Sequence, residues 1–112
     1  MKAALVLLLL AAQAPAVKPP APAFLRGKVV EKVVCAANPK ESYALYLPSG
    51  YTPDHAWPIL YVLDPRSRGT LATERFRPGA DMKHGYILAS SNNTLSDTAI
   101  DPNVEAMRAM WT

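Results

Sequence analysis

The chain has 112 residues, half of them hydrophobic, and twelve Lys and Arg against nine Asp and Glu give it a formal charge of +3. That length holds one small domain or part of a larger one. Its basic residues are scattered, which excludes the clustered stripe of a nucleic-acid footprint, and its single cysteine, Cys35, excludes an internal disulfide.

Met1-Lys2 opens the chain, an apolar run from Ala3 to Ala12 follows, and Gln13-Ala14-Pro15-Ala16 closes the segment. A basic start, a short apolar core and an A-x-A site are the parts of a secretory leader, with cleavage expected after Ala16. The run is too short for a membrane span, which needs about 20 residues. Secretion or export to the periplasm is the expected location. Residues 17–26 form a Pro/Ala-rich lead-in, extended and without regular structure, and residues 27–112 form the folded part. In an exported protein a lone cysteine is either a buried apolar residue or a pairing site; Val33 and Val34 before Cys35 favour burial.

Gly27 to Cys35 reads as a strand near a sheet edge, with Val-Val pairs separated by charge. Asn38-Pro39 marks a turn. Ser42 to Leu47 is a second strand, expected to pair antiparallel with the first and closed by Pro48-Ser49-Gly50. Ile59 to Asp64 carries β-branched, aromatic and aliphatic residues almost without a break, the pattern of a strand buried on both faces. Pro65 stops it. Leu71 to His84 is the crossover helix, expected to break at Pro78-Gly79, because Pro costs about 3 kcal/mol in a helix interior and Gly about 1; Gly85 is its C-terminal stop. Tyr86 to Ser90 is a fourth strand. Asp101 as N-cap and Pro102 at the first position open a last helix, in which Val104, Met107 and Trp111 share one face. The class is α/β: two N-terminal antiparallel strands, then parallel strands with a crossover helix. A further parallel strand is expected beyond Thr112, leaving the sheet incomplete within these residues and the fourth strand with an open edge.

Three stretches together carry a resemblance: Ser42-Tyr-Ala-Leu-Tyr-Leu-Pro-Ser-Gly-Tyr51, Trp57-Pro-Ile-Leu-Tyr-Val-Leu-Asp-Pro-Arg-Ser-Arg-Gly69, and Tyr86-Ile-Leu-Ala-Ser-Ser-Asn-Asn93. From Gly27 to Trp111 the chain resembles the N-terminal half of secreted bacterial α/β-hydrolases, nearest the polyhydroxybutyrate-depolymerase-like and feruloyl-esterase-like groups and related to the prolyl oligopeptidase catalytic domain. The resemblance implies a serine hydrolase acting on small-molecule or polymer esters through an acyl-enzyme, with no cofactor. In this family the loop after the third strand supplies one backbone N–H of the oxyanion hole. Pro65 has no N–H, so the resemblance assigns that role to Arg66 or Ser67. Asp64, Ser91, Asn92 and Asn93 fall on the expected pocket rim. Two blander readings stand beside these: Arg66 and Arg68 as solvated loop residues, and Ser90 to Asn93 as a turn satisfying its own backbone.

These residues contain no G-x-S-x-G elbow. In the family the nucleophile, acid and histidine follow the fifth strand, so no catalytic residue is expected here; His55 and His84 stand too early, and Asp64 and Asp81 match no triad position. No Cys or carboxylate accompanies the two histidines at ligand spacing, so no metal site is expected. The expected function is therefore that of a hydrolase fragment, inactive alone and able to self-associate. The alternative is a short exported interaction module that pairs through an open sheet edge.

Overall fold

The computed structural model describes residues 23–96 and 102–111. The expected leader, most of the lead-in and the Asp101 cap lie outside them. Six elements follow in order: β1 (Val29–Val34), β2 (Ser42–Tyr46), β3 (Ile59–Val62), α1 (Gly69–Ala80), β4 (Ile87–Ser91) and α2 (Asn103–Trp111). The strands form one sheet in the order β1-β2-β4-β3. β2 is antiparallel to both neighbours, while β3 and β4 run parallel, joined through α1.

Strand periodicity sorts the side chains between two faces. Tyr46 lies beside Leu88 and Val29 across the ladders; Tyr46, Leu88 and Ala80 of α1 form the core, bordered by Val29, Val62 and Tyr86. Tyr61 follows the opposite face and meets Trp111 of α2 edge-on, with ring centroids 6.1 Å apart. The two helices therefore cover opposite faces. Both do so through small residues: α1 buries Gly69, Ala72, Thr73 and Ala80, and α2 buries Ala106 and Ala109.

In β1 the charged pair Glu31-Lys32 interrupts the valines. Val30 faces Leu45 and Val33 faces Tyr43, so three steps along β1 match two along β2. This bulge absorbs one extra residue and keeps Val30 and Val33 on one side of the sheet.

Several sequence expectations change. β3 is not buried on both faces: Ile59 is 46% exposed and Leu60 38% exposed. β4 inserts between it and β2 and leaves β3 at the margin of the sheet, and the strand ends at Val62, two residues short of the expected Asp64. The open edge therefore belongs to β3, while β4, expected to be open, has a partner on each side. The first helix does not break. Pro78 sits in its last turn, where only the bond to the Glu74 carbonyl is lost and the helix ends two residues later. Gly85 is not the stop; a Cβ there would lie 2.5 Å from the Ala80 carbonyl oxygen, so close backbone approach requires the glycine. Asp81 caps α1 instead. Its carboxylate accepts from Tyr46 Oη at 2.5 Å and from the Ser49 N–H at 2.9 Å, bracing the helix end against β2. The apolar stripe of α2 faces outward: Val104 is 59% and Trp111 68% exposed.

Leu88 is fully buried between α1 and the sheet. Leu88→Ala is expected to destabilise the fold by about 2–5 kcal/mol, whereas Leu71→Ala, half-exposed on α1, is expected to lose under about 1.5 kcal/mol. Urea denaturation midpoints at constant slope check the difference.

Candidate functional site

Parallel strands place their C-terminal ends on one rim, and here the loops leaving β3 and β4 are stitched together on it. Thr94 Oγ1 donates to the Asp64 carbonyl at 2.6 Å. Ser67 Oγ donates to the Thr94 carbonyl at 2.7 Å, and the Ser96 N–H donates to the Pro65 carbonyl at 3.1 Å. Arg66 and Leu95 complete the seam as an isolated antiparallel bridge.

Asp64 organises the first loop. Its Oδ1 accepts from the Arg66 N–H at 2.8 Å, the Arg68 N–H at 3.3 Å and Arg68 Nε at 3.0 Å. Its Oδ2 accepts from a terminal guanidinium nitrogen of Arg68 at 3.0 Å. The Arg68 fork, reinforced by the two amides, holds the Asp64 carboxyl down to about 2. Although Asp64 lies in the loop two residues past β3, its side chain is only 12% exposed. Asp64 Oδ1 thus takes three donors, two backbone amides and one guanidinium nitrogen, all from its own loop.

Ser67 adopts φ +58°, the left-handed conformation that a non-glycine residue rarely takes. That turn reverses the chain so that Gly69 enters α1 directly against β4. A Cβ at Gly69 would collide with Asn92 Oδ1 and lie 2.6 Å from the Ser90 carbonyl oxygen, so only glycine fits. The Ser67 hydroxyl's bond to the Thr94 carbonyl helps hold that conformation.

The residues expected to act sit as follows. Both proposed oxyanion donors are engaged inside the loop: the Arg66 N–H on Asp64 Oδ1 and the Ser67 N–H on the Asp64 carbonyl at 3.2 Å. Ser91 is buried and accepts from the Asn93 N–H at 3.0 Å. Asn92 Nδ2 donates to the Glu31 carbonyl and to Ser42 Oγ, both at 3.2 Å. Asn93 Oδ1 accepts from the Ser42 N–H at 3.0 Å, and its Nδ2 reaches the Lys40 carbonyl at 3.4 Å. Asn92 and Asn93 thus tie the end of β4 to β1, β2 and the turn between them, while Ser91 is buried in a local turn. Asp64 alone borders a cleft, of about 280 Å³, lined also by Leu63, Arg68, Leu71, Arg75 and Phe76.

Thr94 and Gly69 are the rim residues that sequence reasoning did not single out. A glycine immediately after the Arg-Ser-Arg loop was the available signal for the second; Thr94 carried none, since its partner is a backbone carbonyl thirty residues away in sequence.

His55 and His84 lie at the opposite end of the parallel strands. His55 stacks on Trp57 with centroids 4.7 Å apart and bonds Asp54 at 2.8 Å. Both histidines border one groove with Trp57 and Lys83. Among the described residues no three His, Cys, Asp or Glu side chains are grouped to hold a metal, and no helix is long and apolar enough to cross a membrane. Cys35 is buried, and that burial, with the Glu41 carboxylate nearby, raises its thiol pKa, which suppresses reactivity.

No protein-family model matches the chain, and no curated protein or solved structure does either.

Because the folded Asp64 pKa lies below the unfolded carboxyl value of about 3.9, its stabilisation is fully present above pH 4 and is lost as pH falls toward about 2. The unfolding midpoint of the native chain should drop across that window. Asp64→Asn should start lower at pH 6 and show a flatter profile. Separately, Gly69→Ala is expected to lower stability by about 1–3 kcal/mol through forced displacement of the β4 loop, read from the same denaturation curves.

Proposed function

We propose that these residues are the N-terminal part of a secreted serine hydrolase acting on carboxylic esters, whose nucleophile, acid and histidine stand on further segments. The observation that carries the reading is the seam between the β3 and β4 loops. It sets a strained, hydrogen-bond-rich turn at the C-terminal ends of parallel strands, where α/β folds hold their ligands. The antiparallel β1–β2 pair and the parallel β3–α1–β4 unit agree with what the family resemblance implies for the front of such a sheet. The apolar leader supports export.

In the complete enzyme a serine would attack the ester carbonyl, a histidine would take its proton, and the acyl group would pass to the serine before water releases it. The β3–α1 loop would border the developing oxyanion. Its amides already converge on Asp64 Oδ1, so a substrate oxygen would compete with that carboxylate for the same donors. A backbone donor from this loop therefore requires Asp64 to turn away, which couples the site to the Asp64–Arg68 pair.

Two measurements test the reading. Coding DNA read past Thr112 in all three frames should encode a strand followed by G-x-S-x-G; a stop codon with no such motif in any frame would refute it. The chain of these residues alone should hydrolyse p-nitrophenyl acetate no faster than a heat-killed control, and turnover clearly above that control would show that the reactive group lies within them.

A further inference from the structure

The segment from Thr94 to Ser96 lies between two partners. On one side it pairs with the β3–α1 loop through its outer residues. The Ser96 N–H donates to the Pro65 carbonyl at 3.1 Å, and the Thr94 carbonyl accepts from Ser67 Oγ at 2.7 Å. Leu95 stands opposite Arg66 in that bridge. Its own N–H and carbonyl turn away from the loop, as alternation along an antiparallel pair requires. There a single side chain meets both. Asn103, the first residue of α2, accepts from the Leu95 N–H at 3.0 Å through Oδ1 and donates from Nδ2 to the Leu95 carbonyl at 3.1 Å.

An asparagine amide offers the same kinds of donor and acceptor as a peptide group. Bonded at both, Asn103 stands in for one residue of a neighbouring strand. Two contacts fix rotation as well as distance, and a reversed amide would set like group against like. The Leu95 side chain is 42% exposed and adds little hold of its own. Three pieces therefore lie in line across the rim: the loop from Asp64 to Ser67, the segment from Thr94 to Ser96, and the start of α2. A second tether of α2 lies elsewhere, where Asn38 Nδ2 in the β1–β2 turn donates to Glu105 at 3.3 Å.

We infer that Asn103 is a positioning residue for the β3–α1 loop: its clasp on Leu95 holds the seam from the side opposite the loop and so sets where the Arg66 and Ser67 amides stand. The inference rests on the ester-hydrolase reading for what that loop does, and on the hydrogen bonds alone for the clasp itself. An oxyanion donor works only within about 2.7–3.1 Å of the oxygen it serves, so a loop with that task needs support from outside itself. Removal of the clasp leaves the loop's own bonds to Asp64 in place and frees the segment against which the loop is braced.

The test is amide exchange of the chain, followed residue by residue by NMR. The Ser96 N–H is the reporter, because its acceptor on Pro65 is untouched by the substitution. In Asn103→Ala it should exchange at least about tenfold faster, and the Arg66 and Ser67 amide signals should shift, while amides within β2 and β4 keep their native rates. The Asp64 carboxyl should titrate above its native midpoint of about 2, since the donors around it are less firmly placed. Asn38→Ala severs the other tether of α2 without touching Leu95 and should leave both readings native. Should Asn103→Ala fail to fold, Asn103→Asp decides: it keeps the oxygen that accepts from Leu95, loses the donor, and should speed Ser96 exchange by a smaller factor. Native Ser96 exchange in the Asn103 variant, an unmoved Asp64 midpoint, or equal acceleration in Asn38→Ala or throughout β2 and β4 would overturn the inference. None of these outcomes depends on ester turnover or on what is encoded past Thr112, so failure of the clasp and failure of the hydrolase reading are told apart.

Discussion

The structure depends on β4 being hydrogen-bonded along both margins. A strand in that position has helices over both faces, so its side chains have to be short wherever the helices come closest. β4 meets this with Ala89, Ser90 and Ser91, each at most 5% exposed. The hydroxyls are tolerable there only because they are satisfied: Ser90 Oγ donates to the Val62 carbonyl at 2.6 Å, and Ser91 Oγ accepts from the Asn93 N–H. A buried hydroxyl without a partner costs about 1–3 kcal/mol, more than the burial of so small a side chain returns. Ser90 therefore does two jobs, leaving room for α1 and fastening β3 to β4 beyond the backbone ladder.

From that placement the rim follows. β3 and β4 run side by side, so the chains leaving them emerge together and need a common solution for their polar groups. They reach it by exchange. Thr94 and Ser67 each donate a hydroxyl across the seam, and Asp64 gathers the donors of its own loop. Ser67 is held in its left-handed turn by the hydroxyl bond to Thr94, and the turn in turn lets Gly69 press against Ser90. A strained residue persists only where its surroundings over-determine it; here backbone, side chain and neighbouring loop all fix the same conformation. The Asp64 carboxylate, deprived of most of its water yet matched to a guanidinium and two amides, supplies the electrostatic centre of that arrangement.

Much of the element order was readable in the sequence, since Val-Val pairs, the Ile59 to Asp64 run, Pro65 and the spacing in α2 are local signals. The parallel β3–β4 unit follows from the helix between them. What the sequence hid was position in the sheet. Hydrophobicity made β3 look buried on both faces, yet burial follows neighbours and not residue type: Leu60 stays open at the margin while Ser90 is fully enclosed. The stripe of Val104, Met107 and Trp111 misled for the same reason, because periodicity finds a face without saying what covers it; alanines 106 and 109 make the contact instead. At the rim, the loop and Asp64 were visible from the strand-Pro-Arg-Ser-Arg-Gly order. The use made of Asn92 and Asn93 was not, since their partners are backbone carbonyls in β1 and its turn, fifty to sixty residues distant.

The margin at β3 decides what the rest can do. Among the described residues its backbone edge pairs with β4 alone, and Ile59, Leu60 and Leu63 stay 38–48% exposed. In the proposed enzyme a further strand that continues the β3–α1–β4 pattern runs parallel to β3 and brings its own C-terminal end to the Asp64 rim. Such a strand would cover Ile59 and Leu60, and the cleft beside it, lined by Leu71, Phe76, Arg68 and Arg75, would close from the α1 side. The direction of that strand is a property of the backbone and is set before any reactive side chain is considered.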